Sequence, residues 1–72
     1  MRLLITFETT YEVLMFEKYG VKHELKGRIS PVPRKYSANC GLCWLGPVES
    51  RKEAEAIISR YELSYDKIYE IE

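Results

Sequence analysis

The chain opens on an alternating apolar stretch. In Arg2 to Phe7, the positions Leu3, Ile5 and Phe7 share one face, and the aliphatic and aromatic content fits a strand. Thr9, with Glu12 three residues on, forms a capping box. It predicts a helix from about Thr10 to Tyr19, closed by Gly20 in the left-handed conformation. Tyr11, Val13, Leu14, Met15, Phe16 and Tyr19 are spread around most of that helix, so one sheet cannot cover them all. From Val21 to about Arg28, Val21, His23 and Leu25 alternate with Lys22, Glu24 and Lys26. The alternation predicts a half-exposed strand whose lysines suit a sheet edge. Pro31 and Pro33 forbid its continuation as a central strand.

Leu42 to Leu45 is a short apolar run closed by Gly46-Pro47 and predicts a buried strand. Ser50 and Glu53 spell a second capping box. Ala54, Ile57, Ile58 and Tyr61 then fall at i, i+3, i+4 and i+7, the stripe of a helix facing a sheet. Lys67 to Ile71 forms a last strand. The order β-α-β-β-α-β is two split βαβ units, an α+β, ferredoxin-like arrangement with two helices on one face of a four-stranded antiparallel sheet. The first and third strands are then central and the second and fourth lie at the edges. With no repeat or linker, residues 1–72 are expected to be one small domain.

Composition sharpens this picture in a few places. Seventy-two residues lie near the lower limit for a self-sufficient core, yet 46% apolar and 31% charged is the balance of a globular chain. No apolar run approaches the roughly 18 residues of a membrane span. The opening segment is too short, and too soon followed by Glu8, to be a secretory signal, so a cytoplasmic protein is expected. Two cysteines in that setting read as thiols. The formal net charge is zero, but Lys18, Lys22, Lys26, Arg28, Arg34 and Lys35 face only Glu24 between positions 18 and 35. That segregation is either two solvated faces or a positive potential that favours a thiolate or an anionic ligand. Neutral charge and the lack of the aromatic RNP pattern speak against nucleic acid.

The segment Pro31-Val32-Pro33-Arg34-Lys35-Tyr36-Ser37-Ala38-Asn39-Cys40-Gly41-Leu42-Cys43 carries the candidate chemistry. Cys40 is the candidate nucleophile. Arg34 and Lys35 supply charge, and Ser37 and Asn39 can donate hydrogen bonds to sulfur. Gly41 leaves room and can turn amide hydrogens toward the thiol. The competing reading is a cysteine tucked under the loop as filler, and residue types alone leave both open. Cys40 and Cys43 also spell C-x-x-C. On a strand they stand about 10 Å apart and on opposite faces, whereas a disulfide needs Cα atoms within about 7 Å. Cys43 is therefore read mainly as core packing, with a redox or metal-linked thiol pair as the alternative. A closed zinc site needs four ligands, and Cys40, Cys43 and His23 are too few except between two copies, so no metal or resident cofactor is expected. His23 reads as solvated, and the six tyrosines as packing and amphipathic surface.

Pro31-Val32-Pro33-Arg34, followed by Ser37-x-x-Cys40-Gly41, resembles the P-x-P-R and S-x-x-C-G signature of the selenium/sulfur carrier-like proteins. Glu17-Lys18 and the closing Tyr69-Glu70-Ile71 resemble that family's pattern as well. Relatives occur fused behind a sulfurtransferase-type carrier domain in proteins linked to selenium metabolism. The resemblance implies that Cys40 carries sulfur or selenium as a persulfide or selenosulfide. It also implies donor and acceptor proteins as partners, and a carrier or accessory protein more than a stand-alone enzyme. The chain departs from the pattern at Cys43, where the family has a small residue such as alanine. Met15 and Phe16 make the first helix bulkier than the family's, which suits a homodimer or a partner-binding face.

Overall fold

The computed structural model describes residues 1–36 and 40–72. Its elements are β1 (Arg2–Thr6), α1 (Thr10–Lys22), β2 (Arg28–Pro31), β3 (Leu42–Pro47), a 3-10 turn (Val48–Ser50), α2 (Arg51–Arg60) and β4 (Lys67–Ile71). The sheet order is β2-β3-β1-β4 with every neighbouring pair antiparallel, the ferredoxin-like α+β arrangement expected from the order of elements. Register follows the apolar alternation. Ile5 stands between Trp44 and Ile68 on the helix-covered face, and Leu4 between Leu45 and Tyr69 on the other.

Those two faces bury two clusters. Under the helices, Leu3, Ile5, Phe7 and Trp44 meet Val13 and Phe16 of α1 and Ala54 and Ile57 of α2. Phe16 lies edge-on to Trp44, with ring centroids 5.2 Å apart, and tilts against Phe7 at 5.7 Å. On the outer face, Leu4, Cys43, Leu45 and Ile71 are covered by Val32 and Tyr36 of the β2–β3 connection and by Tyr69. That connection folds back over the sheet, and the Tyr36 and Tyr69 rings meet at 4.6 Å. A small sheet with one helical layer would leave its outer face wet, and the connection gives it a second layer.

Several boundaries depart from the sequence expectation. Gly20 does not stop α1: it is buried within the helix, on the stripe Val13–Phe16–Gly20, and Leu25 folds back over it. The stop comes at Glu24, which takes φ 58, while the Leu25 amide donates to Gly20 O (2.8 Å) and the Glu24 amide to Val21 O (3.0 Å). This is a Schellman closure with glutamate in the place usually held by glycine. Helix α1 therefore absorbs Val21 and Lys22, and β2 starts only at Arg28, not at Val21. The apolar–polar alternation of residues 21–26 belongs to a helix end and a turn. Thr9 does cap α1, accepting from the Glu12 amide (3.2 Å), but Glu12 reaches back to the Glu8 amide (3.0 Å) rather than to Thr9. Ser50 is buried and makes no side-chain cap, because the 3-10 turn leads into α2. Strand β3 runs on to Pro47, two residues past the expected end.

Phe16 is core, not docking surface. The exposed apolar residues of α1 are Tyr11, Leu14 and Val21, while Met15 is half-buried.

Candidate functional site

Strands β2 and β3 pair as far as Pro31 opposite Leu42. Beyond that pair the Val32 amide donates to Gly41 O (3.1 Å), which holds Cys40 at the rim of the sheet. Cys40 is half-buried and is a free thiol packed against the helix-side cluster. Its sulfur is surrounded by backbone groups: it can donate to Leu42 O (3.2 Å) or Phe7 O (3.4 Å), and it accepts from the Leu42 amide (3.4 Å). The side chain is thus held from three sides by the ends of β1 and β3.

Gly41 follows with φ 75, a conformation that favours glycine. A Cβ there would meet none of the described residues within 4 Å. Glycine is needed at this point for its backbone angles and not for want of space among the described residues. The turn also makes Leu42, not Gly41, the residue whose amide faces the sulfur.

Phe7 O is itself placed by a clasp at the end of β1. Thr6 is fully buried; its hydroxyl donates to Asp66 Oδ2 (3.1 Å) and accepts from the Lys67 amide (3.1 Å). The Asp66 amide in turn donates to Thr6 O (2.7 Å). Neither Phe7 O nor the Leu42 amide was foreseeable as part of the site, because a backbone group acts without regard to its side chain's identity. Thr6 before an aromatic residue gave no signal either.

Cys43 stands in a different environment. It is fully buried in the outer cluster, 3.8 Å from Pro31 O, and burial first and Cys40 second push its thiol above the ordinary value. The two sulfurs pack against opposite faces of the sheet.

The remaining candidates are dispersed. Ser37 and Asn39 lie outside the described residues. Arg34 and Lys35 are exposed on the β2–β3 connection, and Lys35 lines a groove with Arg2, Glu70 and Glu72, where β1 begins and β4 ends. Cys40 touches β1 at its other end, through Phe7. The cationic run of the sequence therefore splits. Lys18 and Lys22 lie over the rings of Tyr19 and Tyr61 on the helix layer, while Arg28, Arg34 and Lys35 belong to the sheet side.

His23 is not free in solvent as expected: at the end of α1 its Nε2 lies 2.7 Å from the Tyr61 hydroxyl, and Tyr61 stacks on Tyr19 at 3.9 Å. Among the described residues no group of His, Cys, Asp and Glu could hold a metal ion, and no helix is long and apolar enough to cross a membrane.

A family model described as "Putative Se/S carrier protein-like" matches residues 2–70, from the first residue of β1 to the penultimate residue of β4. No curated protein and no solved structure matches the chain.

Proposed function

The chain belongs to the Se/S carrier-like family, and we propose that Cys40 is the residue that carries the chalcogen. The observation that supports this most is a free, half-buried thiol anchored by backbone groups at the sheet rim and followed by Gly41, near whose missing side chain no described residue comes within 4 Å. Cys43, the other thiol, is fully buried.

Loading needs no net oxidation. The Cys40 thiolate attacks the terminal sulfur of a donor persulfide, R–S–SH. A new S–S bond forms to Cys40, the donor's S–S bond breaks, and the donor leaves as R–S⁻. A donor bearing selenium in the terminal position delivers it by the same exchange. Among the described residues the Leu42 amide, 3.4 Å from Sγ, donates to the sulfur that accepts the bond. Cys40 passes the atom on when an acceptor thiolate attacks in its turn. Donor and acceptor proteins are the partners in this reading, which makes the chain a carrier and not a stand-alone enzyme. Ser37, Asn39, Arg34 and Lys35 are proposed to assist by hydrogen bonding and charge.

Incubation with a persulfide donor followed by intact mass spectrometry tests this. Wild type and Cys43→Ala should gain one reductant-labile sulfur atom, and Cys40→Ser none. Loading of Cys40→Ser equal to that of wild type, or no loading of wild type, would refute it.

A second reading rests on α1, whose Tyr11 and Val21 are each 70% exposed: self-association through this helix. Sedimentation of wild type beside Leu14→Lys decides it, and a strict monomer in both removes its support.

A further inference from the structure

The outer face of the sheet collects cations from four separate segments. Arg2 of β1 stands opposite Pro47, Arg28 of β2 opposite Leu45, and Lys67 of β4 opposite Thr6. Arg34 and Lys35 top the turn that Tyr36 fastens to the same face. All five are exposed, and among the described residues none of them forms an ion pair; the two ion pairs there both use Arg51. Arg2 lines two adjoining troughs, one shared with Arg28 and Leu45, the other with Lys35 and Ile71. Of the two acids beside the second trough, Glu70 is already held by Arg51 at 2.8 Å, which leaves Glu72. On α2, by contrast, Arg51 and Lys52 sit among Glu53 and Glu55, and neighbouring charges offset one another. Asp66, bonded to Thr6 beside Lys67, is the other acid near this face, so a chain of zero formal charge sets five exposed cations here against Asp66 and Glu72.

We propose that this face docks an acidic protein surface. Unpaired cations around low-dielectric troughs raise the local potential and steer an oppositely charged partner into register. The apolar floor, with Leu45 in one trough and Ile71 in the other, suits protein side chains placed between the partner's carboxylates. Single-stranded nucleic acid fits less well. It needs aromatic faces free to stack on bases, whereas Tyr36 and Tyr69 are half-buried, packed on one another and over the outer cluster. Arg34 and Lys35 also figure in the reading of Cys40, whereas Arg2, Arg28 and Lys67 do not, and the variant below changes only Arg2 and Arg28.

The test titrates the isotopically labelled protein with a synthetic Glu-rich peptide of about a dozen residues containing two leucines, and separately with oligouridylate of equal charge. Amide shifts should appear along β1, β2 and β3, weaken as salt is raised from about 20 to about 150 mM, and lose about tenfold in affinity in Arg2→Glu/Arg28→Glu. Both side chains are exposed, so the variant should keep the wild-type spectrum elsewhere, and its Cys40 should load from a small-molecule persulfide as wild type does. No shift with the peptide, or shifts confined to the helices, overturns the proposal. Tighter binding of oligouridylate than of the peptide also overturns it and gives the face to nucleic acid.

Discussion

Cys40 and Cys43 differ by three positions in sequence and by almost everything that governs a thiol. One is half-buried at the rim with a glycine beside it, and the other has no exposed surface. Iodoacetamide on the native protein should therefore alkylate Cys40 and reach Cys43 only after unfolding. Peptide mass mapping reads the result, and equal labelling of both would contradict the assignment. Burial also makes Cys43 a source of pH dependence. Its folded thiol is pushed above the ordinary value of 9.0, so above about pH 9 the unfolded chain releases a proton that the folded chain retains. The unfolded state then binds fewer protons, and stability falls as pH rises through that window. Urea unfolding at about pH 8 and about pH 10 should show a larger loss for wild type than for Cys43→Ala. At this scale Cys40 and Gly41 were legible as residue types. Phe7 O and the Leu42 amide were not, since an amide or carbonyl becomes part of a site only when the chain brings it there.

The two helices end alike. Glu24 (φ 58) closes α1 and Glu62 (φ 52) closes α2, the latter with the Leu63 amide donating to Ile58 O at 2.9 Å. A side chain held in the left-handed region carries a steric cost of roughly 1–2 kcal/mol that glycine avoids. Part of that gain is offset by the larger chain entropy glycine adds to the unfolded state. Glu24→Gly and Glu62→Gly should each stabilise the fold by up to about 1 kcal/mol, measured as a rise in the urea midpoint at unchanged slope; a fall in the midpoint would show that the glutamate side chains do more than terminate the helix. The same closures explain why the expected end at Gly20 came too early. A glycine near a helix end signals a stop only if no packing claims it, and Leu25 claims Gly20. The stripe Ala54–Ile57 was readable because it repeats with the helical period, whereas apolar residues all around α1 hid which of them, Val13 and Phe16, face the core.

In the whole molecule the two clusters depend on close approaches. A Cβ at Gly46 would clash with the edge of the Trp44 ring and stand 2.6 Å from Lys26 O, and one at Gly27, whose φ is +153, would meet the same indole. Trp44 is only 2% exposed and has nowhere to retreat, so Gly46→Ala should cost about 1–3 kcal/mol, read by chemical denaturation; an unchanged midpoint would mean the indole can shift. The outer cluster depends on the β2–β3 connection as its second layer. Tyr36→Ala should uncover Leu4 and Cys43, lowering stability and speeding alkylation of Cys43. Unaltered Cys43 labelling in that variant would assign its protection to the sheet alone.

The sequence by itself determined the order of elements, the sheet topology that follows from it and the core stripe of α2, because periodicity is a property of short windows. Tertiary structure alone decided how far each helix runs, which backbone groups face the Cys40 sulfur, and that the connection folds over the outer face. It also split the cationic run between two surfaces. Each of these depends on contacts between residues distant in sequence. No local pattern encodes such contacts, and packing settles them only when the layers meet.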